Sequence, residues 1–289
     1  MTEHVSAISK LSIGQCATLA CLLEATAPKA GNVHRGADFH DLTFTDFAVA
    51  AVALAPAMER ATSTGVGRAV LSAIEATRGL VRTNVNLGIA LLLAPLAAVP
   101  RSEDLAAGVK KVLASLSHED CQLVYQAIRL ARPGGLGEVE DMDVTGEPPP
   151  NLLDAMRASE KRDLVARQYT TDFDLVLNDA LPRLVRGRTR GWSLTTSILH
   201  THVELLASHS DSLIVRKCGE EAASRVTTMA QRVLDAGDPE DDNYQAAMSD
   251  FDFWLRSDGN RRNPGTTADL IAAALFAGLR DELITPPLR

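Results

Sequence analysis

The stretch "LGIALLLAPLAAV", Leu87–Val99, is the longest uncharged apolar run in the chain. A transmembrane helix needs about 20 such residues, so this run is too short to span a bilayer, and Pro95 interrupts it. A helix that is apolar on every side belongs in the interior of a larger helical protein. The run therefore predicts a buried core helix.

Apolar residues recur at three- and four-residue steps along most of the chain, which is typical of amphipathic helices. Ser117 and Asn263 supply helix-start signals, and alternating runs of β-branched residues are nearly absent. The pattern predicts an all-α, single-domain multi-helix bundle over residues 1–289. Beyond a first helix that stops near Pro28, the predicted helices cover approximately 45–61, 66–81, 86–99, 103–116, 119–130, 164–169, 173–185, 194–207, 213–234, 244–255 and 266–279.

The segment "RPGGLGEVEDMDVTGEPPP", Arg132–Pro150, interrupts the helical pattern with glycine, proline and acidic residues. Such a composition is typical either of a solvated connector or of a mobile loop over a site. Both flanks have the same helical character. The segment therefore predicts a loop of about 132–150 inside one bundle.

Composition narrows the class of protein. The 289 residues are 46% hydrophobic and 23% charged, an ordinary globular balance that can build one large core. A net charge of −8 repels a nucleic-acid backbone, so phosphate groups could be bound only locally. Four dispersed cysteines without a CxxC pair predict reduced thiols. Since the N-terminus shows no secretion signal, we expect a cytoplasmic protein that binds neither nucleic acid nor membrane.

The first stretch rich in charged and polar side chains is "PKAGNVHRGADFHDL", Pro28–Leu42. It directly follows a predicted helix that carries Glu24. It offers cationic side chains for phosphate oxygens and two glycines that permit close backbone approach. Asp38 and Asp41 would share a face if their turn were helical, as Mg²⁺ binding through oxygen would require. The competing interpretation is a polar surface loop with internal ion pairs. The candidate ligands are Lys29, Asn32, His34 and Arg35.

Two asparagines, Asn84 and Asn86, stand at the start of the apolar helix. One of them can cap that helix. The other needs a separate partner if it is buried, because an unpaired buried amide is costly. Glu75 lies on the preceding helix, where it is a candidate base.

The third stretch, "DGNRRNPGTTADLIAAALF", Asp258–Phe276, contains a second helix start. The free N–H groups of a helix start attract anions, and small residues let an anion reach them. No Walker lysine follows, so a P-loop is excluded. The candidate phosphate cradle is Gly265, Thr266 and Thr267, and Asp269 is a candidate cap or metal ligand.

The fourth stretch, "HSDSLIVRKCG", His209–Gly219, opens a long helix. Asp211 or Ser212 can cap that helix. Arg216 and Lys217 place two cations one turn further along, where they either bind phosphate or remain ordinary surface charges.

Together these stretches resemble the triphosphoribosyl-dephospho-CoA synthase family. The resemblance rests on "APKAGNVHRGADFHDL", "TNVNLGIALLLAPL", "DSLIVRKCG" and "NPGTTADLIAAALF", and it extends from Glu24 to Leu279. It implies an all-helical enzyme that transfers the triphosphoribosyl group of ATP to 3'-dephospho-CoA and releases adenine. The sequence departs from the family in two places. The synthases typically read "NTHKG" where this chain has "TNVNLG", and their arginine- and glycine-rich segment before the fourth stretch is only faintly matched by "VRGRTRGWSL". The sequence looks closer to an archaeal and bacterial branch of the family.

The resemblance also assigns roles, which remain expectations here. Asp38, Asp41 and Asp269 would hold Mg²⁺, and Glu24 or Glu75 would act as base or stabilise an oxocarbenium ion. Two alternatives stay open: a related transferase acting on a pterin- or furan-type C1-carrier precursor, and a non-catalytic nucleotide-binding protein. Alanine-rich helix faces also leave room for a homodimer. The expected substrate ligands are Lys29, Asn32, His34, Arg35, Asn84, Asn86, Asp211, Arg216, Lys217, Gly265, Thr266 and Thr267.

Overall fold

The computed structural model describes residues 10–132 and 146–288, and within them it contains helices and no strand, only an isolated bridge between His34 and Ala37. The predicted all-α class is confirmed. The helices are α1 Ile13–Thr26, α2 Phe44–Glu59, α3 Ala61–Thr64, α4 Val66–Arg78, α5 Leu87–Ala98, α6 Leu105–Ala114, α7 His118–Ala131, α8 Leu152–Ser159, α9 Leu164–Thr170, a π-helical segment Leu175–Ala180 continuing into α10 Leu181–Thr189, α11 Leu194–Ser208, α12 Ser212–Asp235, α13 Asp242–Arg256 and α14 Gly265–Arg280.

Helix bounds agree with the apolar periodicity to within a few residues, and two short helices were not predicted. These are α3 and α8, whose lengths of 4 and 8 residues give too few turns for a periodic pattern. Ser117 caps α7, as its sequence position predicts. Most of the predicted loop, residues 133–145, lies outside the described residues.

Helix α5 lies at the centre of the main hydrophobic core, as its composition predicts. It packs against α4 and α14, and Leu92, Leu93 and Leu96 are fully buried. The hydroxyl of Tyr169 donates a hydrogen bond to the carbonyl oxygen of Leu91 at 2.6 Å, which ties α9 to this helix. Helix α14 is also buried along nearly its whole length, so it forms the second internal element of the bundle.

A second hydrophobic cluster joins α11, α12 and α13, and Ala30 from the loop after α1 packs into it. Helix α12 is broken at Gly219, whose φ of 84° lies in the region that favours glycine. Its first part, residues 212–218, therefore forms a separate short segment, and Ile214 from this segment belongs to the cluster.

The starts of α9, α12 and α14 meet at one end of the bundle. The Ser212 hydroxyl, at the start of α12, donates a hydrogen bond to Thr266 of α14 and accepts one from the Leu164 amide of α9. The start of α5 joins them, because Gly88 lies directly against Asp269 of α14. None of the helices in residues 10–132 and 146–288 combines the length and apolar character needed to cross a lipid bilayer.

Candidate active site

Asp211 caps two helices at once. Its carboxylate accepts hydrogen bonds from the amides of Leu213 and Ile214 at the start of α12, at 2.9 and 3.1 Å. It also accepts the amide and the hydroxyl of Thr267 in α14, at 2.7 and 2.8 Å. Burial raises the pKa of Asp211, and these four hydrogen bonds act in the opposite direction. Asp211 thus holds the two helix starts together as a structural carboxylate.

This arrangement changes one part of the predicted phosphate cradle, which comprises Gly265, Thr266 and Thr267. Helix α14 begins at Gly265 and receives its carboxylate from Asp211 of another helix rather than from a side chain next to it. Thr266 and Thr267 are both buried. Because Asp211 already accepts the amide and the hydroxyl of Thr267, these two residues are committed to each other, whereas Gly265 and Thr266 stay predicted phosphate ligands.

Glu24 and Lys29 form a buried ion pair, with Lys29 Nζ 2.7 Å from Glu24 Oε1 and side-chain exposures of 0% and 4%. Lys29 also donates to the carbonyl oxygens of Glu24 and Ala27. A buried charge needs a partner of this kind, since an isolated one would be expensive. The prediction that Lys29 grips a phosphate directly is therefore wrong for this structure, in which its ammonium group is committed to the end of α1.

Arg216 forms the second ion pair of the site, with Asp163 Oδ2 at 2.8 Å. Asp163 also caps α9 by accepting the Val165 amide at 2.8 Å. The Nε atom of Arg216 is buried and has no partner within the described part of the chain. Lys217 is half-buried, and its ammonium group has no ion pair among the described residues. Both cations that the sequence suggested thus keep donors available at this end of the bundle.

The carboxyl group of Asp269 lies among these groups. Burial raises its pKa well above the ordinary value, and the negative charges of Glu24, Asp211 and Asp163 raise it further against the opposing effect of Arg216. Across the described residues, no hydrogen bond or ion pair reaches this carboxyl group. A Cβ atom on Gly88 would lie 2.0 Å from Asp269 Oδ2, so the glycine provides the space for it. Asp269 is the carboxylate of the site that lacks a counterion.

An ion pair on α13 holds the loop after α1. Asp252 Oδ1 accepts the Gly31 amide at 2.7 Å, and Arg256 donates to the carbonyl oxygen of Asn32 while bonding Asp252 at 2.9 Å. Gly31 adopts a φ of 74°, so the loop turns sharply between these two contacts. The Asn32 side chain donates to Asn263 at 2.6 Å, and its own oxygen is buried without a partner. Neither Asp252 nor Arg256 was predicted, although their i,i+4 spacing on a helix was visible.

The remaining cations of this loop differ in character. The backbone of His34 pairs with Ala37, and His34 Nδ1 accepts the Gly36 amide at 3.1 Å. Burial and the positive charge of Arg256 lower the pKa of His34, so near pH 7 it is a neutral side chain rather than the predicted cation. Arg35 is exposed beside it and keeps its charge at the surface.

Asp38 and Asp41 do not form the predicted metal pair. Residues 38–41 are not helical, so the two carboxylates do not share a helix face. Asp38 instead accepts the Phe44 amide at 2.7 Å at the start of α2, while Asp41 is exposed. No group of three or more His, Cys, Asp or Glu side chains suited to a metal ion occurs within the described residues.

One of the two asparagines caps α5 and the other is buried with a separate partner, as predicted. Asn84 Oδ1 accepts the Leu87 amide at 3.2 Å and so caps α5. Asn86 is buried and donates to the Thr77 hydroxyl at 2.9 Å. Glu75 lies two residues before Thr77 on α4 and therefore on another face of that helix. It is exposed in a separate surface pocket, so it does not join Glu24 and Asp269.

His202 contacts the loop after α1 from inside the protein. It is fully buried on α11, and its Nε2 atom lies 3.2 Å from the carbonyl oxygen of Ala30. Burial lowers the pKa of His202 to about 3, so it is neutral. Its partner lies 172 residues away in sequence, which explains why its role could not be predicted.

Comparison with known proteins identifies the family. The CitG family model, ATP:dephospho-CoA triphosphoribosyl transferase, matches residues 10–286. Two Pseudomonas proteins assigned as 2-(5''-triphosphoribosyl)-3'-dephosphocoenzyme-A synthases are similar in sequence to this chain. The protein from P. syringae pv. tomato is 32% identical over 36% of this chain and 35% of its own length. The protein from P. savastanoi is 27% identical over 59% of this chain and 56% of its own length.

The matched regions thus span about one third to just over half of these curated relatives. A crystal structure from Archaeoglobus fulgidus, assigned as a triphosphoribosyl-dephospho-CoA synthase, is similar in fold. The two structures superpose with a TM-score of 0.63 at 23% sequence identity. The superposition covers 83% of this chain and 99% of the Archaeoglobus chain. The family match extends over nearly the whole bundle, so this chain belongs to the CitG family, ATP:dephospho-CoA triphosphoribosyl transferase.

Proposed function

We propose that the protein transfers the triphosphoribosyl group of ATP to 3'-dephospho-CoA and releases adenine. Family membership supports the reaction class. The observation that carries the proposal to particular residues is the environment of Asp269, a carboxyl group without a counterion that lies near Glu24 and the Asp163–Arg216 pair. Such a cluster is suited to stabilising a positive charge that develops during the reaction.

The proposed reaction breaks the bond between C1' of the ATP ribose and the adenine nitrogen, and it joins C1' to a hydroxyl oxygen of the acceptor. The hydroxyl proton leaves to a base, and adenine gains a proton, so atoms and charge balance. The anomeric carbon acquires oxocarbenium character, which a nearby carboxylate stabilises. We assign this role to the ionised form of Asp269. Glu24 is held in place by its ion pair with Lys29, and its negative charge acts on Asp269.

The triphosphate would be bound by donors that the fold leaves available at this end of the bundle. Arg216 contributes its unpartnered Nε, and Lys217 and Arg35 contribute charge. The unpartnered oxygen of Asn32 is suited to accept a ribose hydroxyl. The Asp252–Arg256 pair fixes the loop that carries Asn32 and Arg35, which makes it a positioning pair.

Mg²⁺ is part of this proposal in a revised form. Magnesium usually binds one or two carboxylates together with substrate phosphates, so it does not need a group of three protein ligands. Asp269 is our candidate for that ligand, because Glu24 is already paired with Lys29 and Asp38 accepts the Phe44 amide. Bound there with ATP, the ion would neutralise phosphate charge.

A cytoplasmic location and a homodimer also remain predictions. Light scattering would test whether the protein is a homodimer.

The test is incubation of the protein with ATP, Mg²⁺ and 3'-dephospho-CoA, with adenine and the product mass measured by mass spectrometry. We expect adenine release that depends on the acceptor, and a loss of at least about 100-fold in Asp269→Asn. Glu221→Gln, an exposed acid on α12, is the matched control and should retain full activity.

Two outcomes would replace the proposal. Adenine release with a pterin- or furan-type acceptor but not with 3'-dephospho-CoA would favour the related transferase. ATP binding in calorimetry without any adenine release over a long incubation would favour the non-catalytic protein. The missing "NTHKG" motif is the reason to include both acceptor classes.

A further inference from the structure

Asn263 precedes α14 at a place where an asparagine side chain commonly caps a helix. In the structure its side chain bonds none of the first amides of α14, and Pro264 stands between it and the helix. The carboxylate of Asp211 accepts the Thr267 amide instead. The side chain of Asn263 therefore does not have the local role that its sequence position predicts.

Asn263 contacts the loop after α1. Its Oδ1 atom accepts a hydrogen bond from Asn32 Nδ2 at 2.6 Å, across 231 positions of sequence. Asn32 is 5% exposed, and its own Oδ1 is buried without a partner within the described residues. A side-chain amide has one donor end and one acceptor end, so the bond from the donor end decides which end remains. Asn32 is left with an unpaired acceptor.

The backbone of the loop holds this acceptor in place. Arg256 donates to the carbonyl oxygen of Asn32, and Asp252 accepts the Gly31 amide. A Cβ atom on Gly31 would lie 2.9 Å from the side chain of Leu255, so the loop also packs closely on α13. A buried acceptor that cannot turn away and has no donor is costly, which favours a ligand that supplies the donor.

The chemistry of that ligand follows from the acceptor. A hydroxyl group donates to a carbonyl oxygen, whereas an ionised phosphate group has only acceptors. The oxygen of Asn32 is therefore suited to a sugar hydroxyl and unsuited to a phosphate. Asp269 lies near the same helix start, about 6 Å along the axis of α14 from Gly265.

We propose that Asn263 is a positioning residue that makes the site select a nucleotide with a ribose hydroxyl over its deoxy analogue. Asn263 binds the donor end of the Asn32 amide and so directs the acceptor end to the ligand. The identity of the nucleotide as ATP rests on the proposed function. The orientation of the Asn32 amide does not, and the experiment measures the two separately.

The first test observes the Asn32 side chain by NMR on the full chain, without ligand. The signal of its NH₂ group is identified by its loss in Asn32→Asp. Hydrogen exchange of this group should be slow in the unmodified protein and in Asn263→Asp, which keeps an acceptor oxygen. It should be at least about tenfold faster in Asn263→Ala, because the group loses its hydrogen bond. Asn243→Ala, an exposed residue in the first turn of α13, is the matched control and should change nothing.

Unchanged exchange in Asn263→Ala would overturn the inference. Fast exchange in Asn263→Asp would overturn it as well, since the amide of Asn263 would then be the donor of the pair. Melting temperatures of the variants should stay close to that of the unmodified protein, because Asp211 caps α14. If Asn263→Ala does not fold, the exchange rate in Asn263→Asp alone decides.

The second test measures the binding of ATP, 2'-deoxy-ATP and 3'-deoxy-ATP by calorimetry. A site that hydrogen-bonds a hydroxyl rejects the analogue that lacks it, because its own polar group is left unpaired. The unmodified protein and Asn263→Asp should bind ATP at least about tenfold more tightly than one of the two deoxy analogues. In Asn263→Ala this ratio should fall below about threefold. A ratio that survives in Asn263→Ala would overturn the inference.

Inosine triphosphate is the third probe, because it lacks the amino group through which adenine could donate to the same oxygen. Discrimination against it that disappears in Asn263→Ala would assign the Asn32 oxygen to the base and overturn the selection for a ribose hydroxyl. If the protein binds no ATP, the proposed function fails, and the exchange rates still decide on the Asn32–Asn263 pair. If it releases adenine normally and neither test responds to Asn263→Ala, only this inference fails.

Discussion

Asp211 and Thr267 are joined by two hydrogen bonds to one carboxylate oxygen, from the amide at 2.7 Å and from the hydroxyl at 2.8 Å. The residues are 56 positions apart in sequence. This contact ties the start of α12 to that of α14 and therefore fixes Arg216 relative to Asp269.

The first prediction is that Asp211→Ala destabilises the protein strongly. It would leave the amides of Leu213, Ile214 and Thr267 without their acceptor in a buried place. Losing a cap and stranding buried donors should lower the free energy of unfolding by about 2–4 kcal/mol. Urea denaturation measures this value. Asp242→Ala, an exposed acid in the first turn of α13, should change it by less than about 0.5 kcal/mol. Equal stability of the two variants would contradict the double-capping role.

The second prediction concerns the buried pair of Glu24 and Lys29. Removing one partner leaves a buried charge alone, so Lys29→Met should cost about 3–5 kcal/mol of unfolding free energy. The double variant Glu24→Gln with Lys29→Met should recover most of this loss. It should still fail to release adenine, since the charge pattern around Asp269 has changed. Full recovery of activity would show that the pair only supports the fold.

The third prediction is a pH-dependent gain of stability in Asp269→Asn. The pKa of Asp269 is raised in the folded protein by burial and by the Glu24, Asp211 and Asp163 carboxylates. The folded chain therefore keeps this proton over a pH range in which the unfolded chain has lost it. The contribution of Asp269 to stability falls as the pH rises through that range. Asparagine cannot ionise, so the variant should melt higher than the unmodified protein by a margin that grows with pH.

Thermal melts between about pH 5 and pH 8 test this expectation, with a margin of about 2 °C or more at the upper end. A variant that melts lower at every pH would contradict it. Asp241→Asn is unsuitable as a control because Asp241 accepts the Asp238 amide. The exposed Asp242→Asn should show no pH-dependent difference.

The fourth prediction separates positioning from stability in the loop after α1. Asp252→Asn or Arg256→Gln should loosen the grip on Gly31 and Asn32. A displacement of about 1 Å in a positioning element can reduce a rate by up to 100-fold, so we expect a fall in kcat of at least tenfold. The partly exposed pair contributes only about 1 kcal/mol to stability. Asp250→Asn, on the same helix and exposed, is the control. A loss of melting temperature in proportion to activity would indicate a structural role only.

Much of the fold could be predicted because its determinants are local. The apolar character of residues 87–99 predicts the burial of α5, and three-to-four-residue periodicity predicts most helix bounds. The division of work between Asn84 and Asn86 also follows from local needs, namely one helix cap and one buried amide.

The site was harder to predict because its contacts are distant in sequence. Residue types at the start of α14 predict a bound phosphate, and they cannot reveal that Asp211 from another helix accepts the Thr267 amide there. The Asp252 contact with Gly31 crosses 221 positions. The sequence predicts Lys29 as a phosphate ligand, whereas in the structure its ammonium group pairs with Glu24.

The absence of a side chain at Gly88 also limits which residues can follow at this position in related sequences. With a side chain at that position, the carboxylate at 269 would have to rotate away, because the added carbon would stand 2.0 Å from Oδ2. The two positions therefore constitute a linked pair that can be read directly from a sequence alignment. A bundle of this kind that carries a bulkier residue at the first position would have to hold the acid in a different pose.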